Sequence, residues 1–349
     1  MSYGEISQKE LKKYWKTKHN NAMAFTQKNI LVTCVLLLGS MMLFIPVSPH
    51  LFPSQQPPLY ATLLESLRPL AEISSGQESL PSPLEDPELV EGLPDLVASA
   101  ALAYNPVTKH VSFQKNADAV FGIASITKIM TALVALEHVG KDDIVRVSTD
   151  AIGTEGAEGD LMVEEHFTLQ DLIALMMTGS SNDAAAALAE HIGSLYGAAS
   201  FKESQDFFTG MMNEKAQVLG MHHTRYQNPT GLDRDEEAGI LSNSSTARDL
   251  AILIEYTLQY YPAIWEANTQ ALSLTSQEGF VHHVATTHNL LESMPGIISG
   301  KTGFTDTAGG ALITIADVPL GEKHSIIILG STLPDRFSDT ERLVEWLRK

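Results

Sequence analysis

Residues 124–133 read Ala-Ser-Ile-Thr-Lys-Ile-Met-Thr-Ala-Leu, and apolar residues recur with helical spacing from there to Val139, before Gly140 ends the pattern. Side chains three residues apart on a helix are neighbours, with about 5–6 Å between their Cβ atoms. We therefore expect Ser125 and Lys128 to lie side by side. A serine hydroxyl becomes a nucleophile when a base stands next to it. A lysine can be that base once burial and a second cation lower its pKa from about 10.4.

This spacing alone is weak evidence, because the chain has a second Ser-x-x-Lys at Ser112 and Lys115. That pair lies in a strand-like stretch, where residues three apart point to opposite faces. We expect Ser112 and Lys115 to take no part in catalysis.

A second polar element, Ser180-Ser181-Asn182, falls in the break between two predicted helices. Ser180 is a candidate to relay a proton to or from Lys128, and Asn182 to hold a substrate amide. The alternative is an ordinary N-cap for the helix predicted at 183–192, because Ser and Asn favour that position.

A third element, Lys301-Thr302-Gly303, follows Gly300. If it lies on an edge strand, that strand can pair with an extended peptide. Lys301 would then offer positive charge and Thr302 a hydroxyl to the carboxylate that ends the peptide. Gly303 would let the substrate backbone approach closely. The alternative is a surface lysine in a turn.

The three elements in this order are typical of penicillin-binding proteins and class A β-lactamases. The chain resembles the D-alanyl-D-alanine carboxypeptidases among the low-molecular-mass penicillin-binding proteins, from about residue 97 to 345. Further matching stretches carry the resemblance: 153–156 (Gly-Thr-Glu-Gly), 179–185 (Gly-Ser-Ser-Asn-Asp-Ala-Ala), 212–216 (Met-Asn-Glu-Lys-Ala), 219–221 (Leu-Gly-Met), 228–233 (Asn-Pro-Thr-Gly-Leu-Asp), 245–249 (Ser-Thr-Ala-Arg-Asp), 300–305 (Gly-Lys-Thr-Gly-Phe-Thr) and 335–337 (Asp-Arg-Phe).

The resemblance implies a role for each element. Ser125 would be the acylated nucleophile and Lys128 its base, with the other two elements lining the opposite walls. The backbone N–H groups of Ser125 and Phe304 would form the oxyanion hole. The substrate would be a peptidoglycan stem peptide ending in D-Ala-D-Ala, and β-lactams would acylate Ser125 as substrate mimics. No metal or other cofactor is implied.

Several functions share these elements. The resemblance favours a carboxypeptidase, but short relatives include endopeptidases that cut cross-links between stem peptides. A class A β-lactamase would need an added glutamate, for which Glu155 and Glu158 are the weak candidates. An inactive wall-binding or sensor protein is a further alternative, against which the intact site residues argue. Larger relatives carry a second β-domain and a C-terminal amphipathic anchor, and we expect neither here.

The N-terminal region predicts a membrane anchor. Residues 30–47 are an apolar run of about 27 Å if helical, near the thickness of a bilayer core. Six lysines within residues 1–29 predict that this segment stays in the cytoplasm. A cleaved signal peptide is the alternative. Residues 48–93 are rich in proline and polar residues, which is typical of a linker. Residues 94–349 are then the extracytoplasmic catalytic domain.

Composition excludes other classes. The formal net charge of −19 disfavours nucleic acid as a partner. The single cysteine, Cys34, lies in the apolar run, which excludes an intrachain disulfide and argues against a thiol nucleophile. The histidines do not show metal-ligand spacing.

The order of elements predicts an α+β fold with helices flanking an antiparallel sheet and an inserted all-helical lobe, and the resemblance implies that this fold is of the β-lactamase/transpeptidase type. We expect hairpins at 97–113 and 310–330. A capping box at Thr168 and Asp171 should open one helix, and another at Ser338 and Glu341 should open the last. Arg248 and Asp249 are expected to form a structural ion pair.

Overall fold

The computed structural model describes residues 94–155, 159–233, 241–268 and 271–349. The cytoplasmic segment, apolar run and linker predicted at 1–93 lie outside these residues. No helix among the described residues is long and apolar enough to cross a membrane.

A five-stranded antiparallel sheet is the centre of the fold, in the order β2-β1-β11-β10-β9. Its strands are β1 (Ala100–Tyr104), β2 (Val111–Lys115), β9 (Ile297–Thr305), β10 (Gly309–Asp317) and β11 (Lys323–Ser331). Both predicted hairpins are confirmed, since β1 pairs with β2 and β10 with β11. The strand β9, which carries the Lys-Thr-Gly element, is an edge strand of this sheet.

The sheet is buried on both faces, because alternate residues of each strand enter different apolar clusters. In β11, Ile327 and Leu329 join the larger cluster with the helical lobe. Ile326 and Ile328 join a smaller cluster with Leu343 of the last helix. Side chains alternate between faces with a period of two, so a continuous apolar run is what a strand covered on both sides requires.

The remaining strands form three two-stranded pairs: β3 (Phe121–Gly122) with β6 (Ser244–Ser245), β4 (Ile144–Arg146) with β5 (His166–Thr168), and β7 (Leu272–Thr275) with β8 (Val281–Val284). The helices are α1 (Lys128–His138), α2 (Thr149–Ile152), α3 (Leu169–Thr178), α4 (Asn182–Leu195), α5 (Phe201–Leu219), α6 (Ala247–Tyr260), α7 (Ala263–Glu266), α8 (Leu290–Ser293) and α9 (Asp335–Leu347). This is the predicted sheet with helices and an inserted helical lobe.

Side-chain caps mark the start of several helices, α3 among them. Thr168 caps α3 and accepts a hydrogen bond from the Asp171 backbone N–H at 3.1 Å, which confirms the predicted capping box. The box predicted at Ser338 is wrong, since α9 already begins at Asp335. The Asp335 N–H instead donates to Thr332 Oγ1 at 3.0 Å.

Arg248 and Asp249 do not pair with each other as expected. Arg248 donates to Asp118, and the Asp249 carboxylate accepts from the His223 backbone N–H and from Thr224 Oγ1. Consecutive helical residues point in directions about 100° apart, which separates the two side chains.

Candidate active site

The predicted nucleophile lies in a tight turn that precedes a helix. Residues Ala124–Thr127 form a 3₁₀ turn, and α1 begins at Lys128. Lys128 Nζ donates to Ser125 Oγ at 2.9 Å, so the predicted neighbours do meet. Ala124, directly before the serine, has a φ of +43°. Left-handed backbone at a non-glycine residue costs on the order of 1–3 kcal/mol and is typical of active sites.

Lys128 is fully buried, and two further acceptors surround its amine. Nζ donates to Asn182 Oδ1 and to the Thr230 carbonyl, each at 2.6 Å. A neutral amine has two N–H bonds, and these two acceptors can hold both. In the neutral amine the lone pair takes the place of the N–H that the charged amine directs at Ser125 Oγ, so it can accept the serine proton.

Burial lowers the pKa of Lys128 well below its ordinary value, and the positive charge of Lys301 lowers it further. Both effects disfavour the charged ammonium. The structure therefore supplies the two conditions under which a lysine can accept a proton from a serine near neutral pH.

The second element forms the opposite wall of the cleft. Ser181 is the N-cap of α4, and its Oγ accepts from the Ala184 N–H at 3.2 Å. Because Ser181 takes the capping position, Ser180 and Asn182 are available to the cleft. Ser180 has a φ of +64°, the second left-handed non-glycine residue at the site. Its Oγ accepts from Lys301 Nζ at 2.8 Å, so its hydroxyl contacts the second lysine.

The third element lies on the edge strand β9, as the peptide-pairing hypothesis requires. Lys301 is fully buried, and its Nζ also donates to the Thr302 carbonyl at 3.0 Å. Burial lowers the pKa of Lys301 to about 7, and the Arg336 charge contributes. Thr302 Oγ1 lies 2.6 Å from Thr287 Oγ1. Lys301 is thus a second amine that can exchange a proton near neutral pH.

The structure explains the glycine at position 303 differently from the sequence analysis, which expected a substrate backbone to approach it. A Cβ placed there would lie 3.0 Å from both the Ile123 carbonyl and the Ser125 backbone nitrogen. The backbone that approaches Gly303 is therefore the chain's own nucleophile turn. This contact brings the Ser125 N–H next to β9, one residue before Phe304. The Phe304 side chain is 42% exposed.

The unused Ser-x-x-Lys is separated from the site. Ser112 Oγ contacts His324 Nε2 at 3.3 Å, and Lys115 Nζ donates to the Leu96 carbonyl at 2.8 Å. Their different partners agree with the prediction that two residues three apart on a strand do not form a pair.

Sequence reasoning missed three contributors. The Thr230 carbonyl holds Lys128, and the Glu155 carbonyl accepts from Asn182 Nδ2 at 2.7 Å. Arg336 Nη1 donates to the Gly303 carbonyl at 2.6 Å, and burial lowers the pKa of this guanidinium to about 10. Backbone carbonyls occur at every residue and leave no pattern. Arg336 does stand in one of the stretches that carry the resemblance.

The sequence model of peptidase S11, described as D-alanyl-D-alanine carboxypeptidase, matches residues 88–329. The chain belongs to this family. The match spans all three elements of the cleft, so the buried lysine pair described above lies within the part of the chain that defines a peptidase S11 protein.

Several known proteins are similar to this peptidase S11 chain. The D-alanyl-D-alanine endopeptidase of Pseudomonas aeruginosa is 30% identical over 264 residues, covering 73% of this chain and 80% of that protein. The D-alanyl-D-alanine carboxypeptidase DacF of Bacillus subtilis is 28% identical over 254 residues, covering 71% of this chain and 61% of that protein. The crystal structure of the Streptomyces K15 DD-transpeptidase superposes with a TM-score of 0.64 and 26% identity. The match covers 73% of this chain and 98% of that chain. The names of these three proteins state three different activities: endopeptidase, carboxypeptidase and transpeptidase.

Proposed function

We propose that this chain is a serine-type D-Ala-D-Ala carboxypeptidase that acts on peptidoglycan stem peptides through an acyl-enzyme on Ser125. The observation that carries the proposal is the hydrogen bond of 2.9 Å between the buried Lys128 amine and Ser125 Oγ. Membership of the peptidase S11 family supplies the substrate class.

Acylation follows from the contacts of the two lysines. Neutral Lys128 removes the Ser125 proton as Oγ attacks the carbonyl carbon of the penultimate D-Ala. The charge that develops on the carbonyl oxygen is stabilised by the backbone N–H groups of Ser125 and Phe304. When the C–N bond breaks, Ser180 gives its proton to the leaving amine and recovers one from Lys301, which donates to it at 2.8 Å. Water then attacks the acyl carbonyl carbon; Lys128 returns its proton to Ser125 Oγ as the acyl–oxygen bond breaks, and the proton released by the water restores the charge of Lys301.

The test is covalent labelling by a fluorescent penicillin. The wild type should be labelled, and Ser125→Ala should not. Ser112→Ala is the matched control, because Ser112 also precedes a lysine by three residues but contacts His324. It should be labelled like the wild type. Labelling that survives in Ser125→Ala would place the nucleophile elsewhere.

A cross-link endopeptidase is the second candidate, favoured by the 30% identity to the Pseudomonas aeruginosa endopeptidase. A carboxypeptidase has to bind the terminal carboxylate of its substrate with a cation. Lys301, the candidate cation, already donates hydrogen bonds to Ser180 Oγ and to the Thr302 carbonyl. Mass analysis of purified pentapeptide monomers and cross-linked dimers, incubated with the catalytic fragment, separates the two. Loss of a terminal D-Ala from monomers supports a carboxypeptidase, and conversion of dimers alone supports an endopeptidase.

We further propose that residues 30–47 anchor the protein in the cell membrane, with the N-terminus in the cytoplasm and the catalytic domain outside. The support is the apolar run and the six lysines that precede it. Protease added to unlysed spheroplasts should degrade the catalytic domain. Protection of that domain until the cells are lysed would contradict the orientation.

A further inference from the structure

The loop at residues 228–231, Asn-Pro-Thr-Gly, contacts the catalytic lysine and its helix through two backbone carbonyls. Lys128 Nζ donates to the Thr230 carbonyl at 2.6 Å. Thr131 Oγ1, one turn later on α1, donates to the preceding carbonyl, that of Pro229, also at 2.6 Å. Two buried side chains three residues apart on α1 therefore hold two consecutive carbonyls of this loop.

The Asn228 side chain sets the shape of the loop. Its Oδ1 accepts from the Gly231 N–H at 2.7 Å, from Thr230 Oγ1 at 3.0 Å and from the Thr230 N–H at 3.2 Å. Its Nδ2 donates to the Leu232 carbonyl at 2.8 Å. An asparagine that bonds the backbone two and three residues ahead of it is a standard way to close a short loop.

The strongest of these bonds fixes the direction of the carbonyl that Lys128 contacts. The Gly231 N–H and the Thr230 carbonyl belong to one planar peptide group, and in a trans peptide they point in opposite directions. Asn228 Oδ1 holds the N–H on one side of this group, and Lys128 Nζ contacts the carbonyl on the other. The orientation of the Thr230 carbonyl therefore depends on Asn228.

That carbonyl affects the reaction through the hydrogens of the lysine amine. Neutral Lys128 has two N–H bonds, which the Thr230 carbonyl and Asn182 Oδ1 accept. If the peptide group rotated and the Thr230 carbonyl turned away, one N–H would be free to point at Ser125 Oγ. The lone pair would then no longer be directed at the serine proton, and removal of that proton would slow.

We propose that Asn228 is a positioning residue for the general base, which orients the Thr230 carbonyl toward Lys128 Nζ by holding the Gly231 N–H. The inference rests on the proposed acyl-enzyme function and adds a residue to it. The effect of Asn228 on the reacting atoms passes through Thr230 and Lys128.

The test is the rate of acylation by a fluorescent penicillin, measured on the full chain from pH 5 to 10. Asn228→Ala should lower the rate on the plateau by about 10- to 100-fold, as expected for a misplaced catalytic group. Asn228→Asp keeps an acceptor oxygen for the Gly231 N–H and should recover most of this loss. Plateau rates are compared because the added carboxylate itself raises the pKa of Lys128 and moves the acid limb of the profile to higher pH.

The pH profile of Asn228→Ala gives a second readout. A carbonyl that accepts from the ammonium favours the charged form of the amine. Loss of the Thr230 acceptor should therefore lower the pKa of Lys128 and move the acid limb to lower pH. Within the part of the chain that the structure describes, Lys301 carries the charge that acts on Lys128, and the substitution leaves it in place. Partial unfolding would reduce the labelled fraction without moving the limb.

Asn105 offers a matched control, because Asn105-Pro106 begins a second Asn-Pro loop, between β1 and β2. Asn105 Oδ1 accepts from the N–H groups of Val107 at 2.9 Å and Thr108 at 3.1 Å, so it closes its loop in a similar way. Val107 and Thr108 are exposed. Asn105→Ala should show the acylation rate and pH profile of the wild type.

Thr131→Val serves if Asn228→Ala does not fold. It removes the bond to the Pro229 carbonyl and so loosens the loop from α1, and it should change the plateau rate and the acid limb in the same directions as Asn228→Ala. A plateau rate equal to that of the wild type, or an acid limb that stays in place or moves to higher pH, would overturn the positioning role. Failure of the proposed function looks different, because the wild type itself would then not be labelled.

Discussion

Lys301 Nζ donates to Ser180 Oγ across the cleft at 2.8 Å, and this bond joins the edge strand to the turn before α4. Through it, the two lysines stand on two sides of the cleft: Lys128 contacts Ser125, the proposed nucleophile, and Lys301 contacts Ser180, the proposed proton donor to the leaving group. The positive charge of Lys301, together with burial, lowers the pKa of Lys128.

Removal of the Lys128 amine should nearly abolish acylation. General-base catalysis contributes about 10²- to 10⁴-fold, so Lys128→Ala should lower the penicillin acylation rate within that range at pH 7. Lys115→Ala is the control, since Lys115 is the lysine of the other Ser-x-x-Lys and contacts the Leu96 carbonyl. Equal rates for Lys128→Ala and the wild type would remove Lys128 as the base.

Removal of the second cation should move the pH dependence. The Lys301 charge lowers the pKa of Lys128, so Lys301→Gln should raise that pKa, because the charged ammonium loses a repulsive neighbour. The acid limb of the acylation profile should then shift to higher pH. Stopped-flow acylation with penicillin between pH 5 and 10 measures the shift. A limb that does not move to higher pH would mean that burial alone sets the proton affinity of Lys128.

Gly231 should be intolerant of a side chain. It has a φ of +90°, and a Cβ there would lie 2.1 Å from the Ala124 carbonyl, beside the nucleophile. Gly231→Ala should destabilise the fold by about 2–5 kcal/mol, from overpacking added to backbone strain.

Gly279 offers a matched control for that substitution. It has the same φ of +90°, but a Cβ added there would meet nothing within 4 Å among the described residues. Gly279→Ala should cost only about 1–2 kcal/mol, the strain of left-handed backbone. Urea unfolding measures both, and equal losses would show that the contact with Ala124 carries no energy.

His288 should make the fold sensitive to acid. It is fully buried behind β9, with Nε2 2.9 Å from Thr314 Oγ1. Burial lowers its pKa from 6.5 to about 4, and the charges of Arg336 and Lys301 add to the effect. Between these values the unfolded chain binds a proton that the folded protein does not. Stability is therefore lost as the pH falls from 6.5 toward 4, by about 3 kcal/mol in all.

The measurement is urea unfolding at pH 7 and pH 4.5 for the wild type and His288→Gln. The wild type should lose more stability between pH 7 and pH 4.5 than His288→Gln does. A loss of stability that the substitution causes equally at both pH values does not affect this comparison. His283→Gln, with an exposed side chain, should follow the wild type. An equal pH loss in His288→Gln and the wild type would show that His288 does not titrate differently on folding.

The parts of the site that follow from local periodicity could be predicted from the sequence. The spacing of Ser125 and Lys128 places them together whether the turn is 3₁₀ or α-helical, because residues three apart are neighbours in both. The partner of Ser180 could not be predicted, since it depends on where β9 lies relative to α4. The hypothesis for Lys301 is conditional on an edge strand, and strand order is a property of pairings between distant segments.

The errors have local physical causes. Thr332 with Asp335 and Ser338 with Glu341 both fit the spacing of a capping box, and Pro334 distinguishes them because proline is tolerated only at a helix start. The motif at Gly303 indicates a close approach of backbone, but it does not show which backbone comes close. The contact with the Ser125 turn appears only once β9 and that turn are placed side by side.

One backbone acceptor of the edge strand β9, the Gly300 carbonyl, is already occupied, and a neighbouring side chain is tied down. Asn268 Nδ2 donates to the Gly300 carbonyl, and Ser299 Oγ donates to the Trp265 carbonyl at 2.6 Å. A peptide that pairs beyond this occupied carbonyl lies along the last five residues of the strand, a length of about 17 Å. Asn268 acts as a physical stop at one end of this short track. A peptide that pairs with the edge of β9 therefore meets Asn268 at one end of the track, on the strand that also carries Lys301.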